Sequence, residues 1–149
     1  MSIDVEPSTG RLDIPRRVLV VYTEGRGGTA ALREAAELAA CGAELTVVTL
    51  APQARPLKCC KGGGAGPYNC AVRDAAAEEL LQARMLLGSL ATRACFTTLI
   101  GAPEPPLADW SAAQSFDTII VPRHRLARGG GGLVRELRRA TDADVRAVA

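Results

Sequence analysis

The order of apolar runs along this 149-residue chain predicts an α/β fold. The expected architecture is one open, five-stranded parallel sheet, doubly wound in strand order 3-2-1-4-5, with helices on both faces as three layers, α/β/α. Three observations carry the prediction. Short apolar runs alternate with stretches of helical period. The runs are nearly continuous instead of alternating polar with apolar, which marks strands buried on both faces. Crossovers between parallel strands are right-handed, which leaves few topologies open.

The elements follow in order. Residues 1–16 hold Pro7, Gly10 and Pro15 and show little periodicity, so they are expected to form a flexible arm before a domain spanning 17–149. Arg17 to Tyr22 (RVLVVY) predicts the first strand. A glycine-rich turn from Glu24 to Gly28 leads to a helix with Leu32, Ala35, Ala36 and Ala39 on one face and Arg33, Glu34 and Glu37 on the other. Gly42 is placed to end it. Glu44 to Leu50 (ELTVVTL) predicts the second strand, stopped by Pro52 and Pro56.

A long glycine-rich loop is then expected from Ala51 to about Asn69; such loops are usually functional or mobile. From Cys70 to Leu90 the helical period returns through Val72, Ala76, Leu80, Ala83, Leu87 and Leu90. Ala94 to Ile100 predicts the third strand and Gly101-Ala102-Pro103 a turn. Pro105 suits the first turn of a short helix carrying Leu107 and Trp110. Asp117 to Val121 predicts the fourth strand. Glycines 129–132 precede a short helix bearing Leu133, Leu137 and Ala140, and Asp144 to Val148 is the fifth strand.

Composition bounds the function. Aromatics are only 3% of the chain, so its core must be built from Leu, Val, Ile and Ala. No apolar run approaches the roughly 20 residues of a membrane span. The first ten residues are acidic and polar, unlike a signal peptide, so a cytoplasmic protein with reduced thiols is expected. A net charge of +2 does not by itself imply a nucleic-acid partner.

In an open α/β sheet, ligands bind beyond the carboxyl ends of the strands where the winding reverses. Here that point falls between the first and fourth strands, at Thr23–Thr29 and Pro122–Gly132. Both loops are rich in glycine (Gly25, Gly27 and Gly28; Gly129, Gly130, Gly131 and Gly132) and lead into helix N-termini. Unpaired N–H groups and the helix dipole favour an anion there. Arg26, Arg123, Arg125 and Arg128 add positive charge, and His124, the single histidine, lies beside them. Such loops are also common where no ligand binds, and the sequence leaves both readings open. Gly25 to Ala30 satisfies the dinucleotide pattern GxGxxA in the right context. The second strand, however, ends Val48-Thr49-Leu50-Ala51 with no acid for a ribose hydroxyl, and the chain has no sixth strand, so nicotinamide or flavin is not expected.

Cys59, Cys60 and Cys70 fall in or at the end of the long loop. Their spacing is not that of a zinc site, so no metal is expected, although a thiol or metal-binding module remains an alternative. Lys58 and Lys61 would lower the pKa of the adjacent thiols. Cys41 and Cys95, on a helix and a strand, are expected to pack as small hydrophobes. No catalytic constellation emerges: His124 lacks a partner, because Asp117 lies at the far end of its strand, and Ser89, Ser111 and Ser115 match no nucleophile elbow. Arg135, Arg138 and Arg139 make the last helix basic, but without aromatics for base stacking a nucleic-acid surface is not favoured.

Over residues 17–149 the chain resembles the universal stress proteins. Val18-Leu19-Val20-Val21 with Ala30-Ala31-Leu32 is similar to that family's opening strand and first helix. Ala35-Ala36-Glu37-Leu38-Ala39, Gly42 to Val47, Gly101-Ala102-Pro103 and Asp117 to Val121 are similar to its later segments in the same order. The resemblance implies a small cytoplasmic stress-response protein, a homodimer paired through its last edge strand, and a site for ATP or another adenine nucleotide. The implied site residues are Thr23, Gly25, Arg26, Gly27 and Gly28 after the first strand, Gly101 and Pro103 after the third, and Arg123, Arg125 and Gly129 to Gly132 after the fourth. The family's ATP binders carry an Asp where Thr23 stands and a glycine where Pro122 stands, and their Gly-Ser/Thr before the last helix has no counterpart here. The expectation is therefore a binding or regulatory module, with a nucleotide-dependent enzyme of the same fold as the alternative.

Overall fold

The computed structural model describes residues 15–54, 65–101, 106–123 and 130–149. Five strands form one parallel sheet: β1 (Arg17–Val21), β2 (Glu44–Pro52), β3 (Ala94–Gly101), β4 (Thr118–Pro122) and β5 (Asp144–Val148). Their spatial order is β3-β2-β1-β4-β5, the order that the sequence predicts. Four α-helices alternate with them: α1 (Arg26–Ala40), α2 (Ala65–Leu87), α3 (Leu107–Gln114) and α4 (Gly130–Ala140). A 3₁₀ segment, Gly88–Arg93, joins α2 to β3.

The central strands are buried as their composition requires. Val18, Leu19, Val20, Ile119, Ile120 and Val121 are all 0% exposed. Successive side chains of a strand point to opposite faces, so β1 supplies both core layers. Val18, Val20 and Tyr22 face Ala31, Leu32 and Ala35 of α1 and Ala83 and Leu87 of α2. Leu19 and Val21 face the other side, with Leu107 of α3, Phe116 and Leu137 of α4. At the amino end of the sheet, the Asp117 carboxylate accepts the N–H groups of Arg16 and Arg17 at 2.8 and 2.9 Å. Asp117 is thus a structural clamp, remote from the carboxyl ends.

Several boundaries differ from expectation. α1 begins at Arg26, so Gly27 and Gly28 form its first turn instead of preceding it. α4 likewise starts at Gly130. β2 runs on to Pro52, paired with Gly101 of β3. β1 has ended by then, so Pro52 sits where a missing N–H is tolerated. α2 starts at Ala65, not Cys70. Pro67 falls in its first turn, where no intrahelical donor is needed. The Asn69 side chain accepts the Ala54 N–H at 2.8 Å and donates to the Ala54 carbonyl at 3.0 Å, which fastens the helix start to the end of β2. α3 begins at Leu107 with Pro106 before it; Pro105 lies outside the described residues.

Cys41 and Cys95 are both exposed, against the expectation that they pack. Cys41 caps the end of α1, past its last buried residue Ala39, and Cys95 lies on the edge strand β3, whose cover is incomplete.

One contact fixes α1 against the sheet. A Cβ placed on Gly28 would lie 1.6 Å from the Thr23 carbonyl oxygen, so helix and strand backbones meet there with no side chain between. Gly132, near the start of α4, has open space around it. Gly28→Ala is therefore expected to cost about 3 kcal/mol or to prevent folding, because backbone must move to admit the methyl group. Gly132→Ala is expected to raise stability by about 0.5 kcal/mol through helix propensity. Urea unfolding of both variants checks the pair; equal behaviour would show that α1 is not seated by Gly28.

Candidate functional site

The site begins where β1 leaves the sheet. Tyr22, just past the end of β1, still donates its N–H to Val48 of β2 at 2.9 Å. Thr23 is buried beneath α1. Gly25 then turns the chain with φ +118°, a conformation that L side chains rarely adopt, and becomes the N-cap of α1. Its carbonyl accepts both the N–H and the hydroxyl of Thr29, each at 3.0 Å. No side chain caps this helix and no acid lies in its first turn. The N–H groups of Arg26, Gly27 and Gly28 precede the first i→i−4 bond, so the positive end of the helix dipole carries no protein acceptor within the helix.

A cavity of about 600 Å³ lies at this point, lined by Glu24, Gly25, Arg26, Gly27, Arg123 and Ala149. Glu24 and Gly25 come from the β1–α1 connection, Arg26 and Gly27 from the first turn of α1, and Arg123 from the residue after β4. β1 and β4 are neighbours in the sheet, and their connections run to helices on opposite faces. That is the crevice where open α/β sheets take ligands. Two arginines and an uncapped helix start, against the single acid Glu24, line one concave surface and favour an anion.

The structure brings together only part of the predicted set. Thr23 and Gly28 are buried and absent from the cavity lining, and their contact seats α1. Gly101 ends the edge strand β3 and accepts the Gln53 N–H at 2.6 Å, away from the cavity lining. Gly130, Gly131 and Gly132 open α4. Pro103, Arg125 and Gly129 lie outside the described residues, as do His124, Arg128, Cys59 and Cys60. Cys70 is exposed on α2. Among the described residues no group of three or more His, Cys, Asp or Glu could hold a metal ion, and no helix is long and apolar enough to cross a membrane.

Sequence reasoning missed the side chains that hold the loop from behind. Glu79 of α2 accepts the Glu24 N–H at 2.7 Å through Oε2. Gln82, one turn further along, accepts the Tyr22 hydroxyl at 3.4 Å. The acid Glu24, part of the cavity lining, was visible only as one residue of the turn. The helical period marked Leu80 and Ala83 as core but carried no sign that Glu79, beside them, reaches the loop.

Tyr22 reports on this corner. Burial of its hydroxyl raises its pKa above 10.0, and the charges of Glu79 and then Glu24 raise it further. A group that holds its proton more tightly when folded supports the fold fully below its unfolded pKa and loses that contribution as pH rises through the folded value. Stability is therefore expected to fall above pH 10, and to fall less in Tyr22→Phe. Denaturant unfolding at pH 9 and pH 11 checks this; identical losses in both proteins would remove Tyr22 as the cause.

No family model matches the chain, and no curated protein matches it in sequence. Solved structures do match it. The universal stress protein UspA from Lactobacillus plantarum has a TM-score of 0.71 at 17% identity, covering 90% of this chain and 97% of its own. A universal stress protein from Archaeoglobus fulgidus in complex with dAMP has a TM-score of 0.61 at 20% identity, covering 91% of this chain and 99% of its own. A universal stress protein in complex with cAMP has a TM-score of 0.59 at 17% identity, covering 92% and 99%. Strand order, helix placement and near full-length coverage agree, and the chain has the universal stress protein fold.

Proposed function

We propose that the chain is a cytoplasmic regulatory binding module of the universal stress protein type, which holds an adenine nucleotide at the β1/β4 crevice. The observation that carries this reading is the convergence of Gly25, Arg26 and Gly27 at an uncapped helix start with Arg123 on one cavity of about 600 Å³. The phosphate would sit at the α1 N-terminus, between the two arginines. Solved relatives of the same fold in complex with dAMP and with cAMP support an adenine nucleotide as the ligand. A binding role is favoured over turnover because the described lining offers one carboxylate, two guanidinium groups and backbone, with no nucleophile–base pair.

A second part of the reading concerns assembly. β5 is an outer strand of the sheet, and its far edge has no partner among the described residues. A free edge is a template for another strand, and a second copy of β5 would cover it.

Thermal unfolding with AMP, ADP, ATP, cyclic AMP or inorganic phosphate tests the ligand. A ligand that binds only the folded state stabilises it by about 2.7 kcal/mol at one hundred times its Kd. At least one adenine nucleotide is expected to raise the midpoint more than phosphate does, and Arg123→Ala to weaken that nucleotide about tenfold. An equal shift with phosphate alone would reduce the site to an anion site; no shift with any ligand would remove it. Sedimentation equilibrium tests the assembly. The wild-type chain is expected to be a dimer. Of Arg146→Pro and Ala147→Pro, the one whose N–H faces outward is expected to be a folded monomer. A monomeric wild-type chain would remove the pairing.

A further inference from the structure

The loop that lines the cavity is held in part from outside its own segment. After Tyr22, which is bonded to Val48, the next backbone donor with a partner before the helix is Glu24, and that partner is a side chain from another helix. Glu79 Oε2 takes the Glu24 N–H at 2.7 Å, within the range of a charge-assisted bond. The next residue is Gly25, whose φ of +118° turns the chain into α1. Glycine populates positive and negative φ about equally, so it does not by itself choose the turn. The bond one residue before it restricts that choice. Gln82, on the same face of α2 as Glu79, holds the Tyr22 hydroxyl. One turn of α2 therefore contacts both ends of the Tyr22–Glu24 segment, closely at Glu24 and at longer range at Tyr22.

We infer that Glu79 is a positioning residue for the anion site. It touches no ligand. Its bond to Glu24 holds Gly25 in the conformation that turns the first N–H groups of α1 and Arg26 toward the cavity. This rests on the reading of that cavity as an anion and nucleotide site. The physical basis is preorganisation. If the loop samples other turns, the apparent Kd rises by the inverse of the fraction that is competent to bind. The Glu79 carboxylate also acts in the opposite sense, because its charge near the site disfavours an anion.

Two substitutions separate these effects. Glu79→Gln and Glu79→Ala both remove the charge, but the glutamine keeps an oxygen to accept the Glu24 N–H. Any difference between them reports the bond. Calorimetric titration with AMP and with inorganic phosphate is expected to give about fivefold weaker binding for Glu79→Ala than for Glu79→Gln, with Glu79→Gln at least as tight as wild type. Amide hydrogen exchange without ligand is expected to be faster at Glu24 in Glu79→Ala than in Glu79→Gln. Equal affinities of the two variants would overturn the proposal even if exchange differs. Unchanged exchange at Glu24 would overturn it as well. If exchange follows the prediction but wild type binds neither AMP nor phosphate, the reading of the cavity has failed and the proposal falls with it.

Discussion

The contact between Gly28 and the Thr23 carbonyl is the constraint on which the rest of this molecule depends. A helix normally packs on a sheet through side chains, which keep the two backbones well apart. Here the first turn of α1 comes down on the end of β1 with nothing between them. That brings the helix start to the carboxyl edge of the sheet, beside β4, instead of above its middle. The approach fixes the two ends of the segment Thr23 to Gly28, and the four residues between them, Glu24 to Gly27, belong to the cavity lining. Glycine at 28 is thus a packing requirement, and glycine at 25 a conformational one. The two glycines look alike in sequence and act through different physics.

Strand order and layering were legible because they rest on repeated signals. RVLVV, TIIV and ELTVV are each apolar at several consecutive positions, and a buried parallel strand needs that run. The period of α1 through Leu32, Ala35 and Ala39 is equally redundant. The boundaries were less legible wherever glycine or proline stood at an element's end. Gly27, Gly28 and Gly130 to Gly132 suggested turns because glycine lowers helix propensity. In the structure they are helical, and Gly28 is so because only hydrogen fits against Thr23. Pro67 sits in the first turn of α2, where its missing N–H costs nothing, so the helix begins earlier than the apolar period indicates.

The polar anchors were not legible, for a different reason. Asn69, Glu79 and Gln82 each act on a single distant residue, at separations of 15, 55 and 60 residues. In two of the three the partner is a backbone group, which has no sequence signature. Nor does a helical wheel mark them, since a polar residue beside a core position is ordinary on an amphipathic helix. The cysteines failed in the converse way. Their type suggested burial, but Cys41 falls just past the packed part of α1 and Cys95 on an edge strand, and position outweighed type.

The departure at Thr23 takes on a different meaning once the loop is seen in three dimensions. The resemblance to universal stress proteins places an Asp after the first strand of the ATP binders, where this chain has Thr23. Thr23 is buried and its carbonyl seats α1, so a carboxylate in that place would be drawn out of water beside a crowded backbone. The acid instead comes one residue later. Glu24 is exposed, lines the cavity and has its N–H held by Glu79. An acidic residue is therefore present in the lining of the crevice together with Arg26 and Arg123, although the aligned position lacks one. Keeping a residue type at a fixed place in the chain is a stricter condition than keeping a charge at a place in space. In this fold, where a single turn delivers the loop to the switch point, the second condition can be met while the first is not.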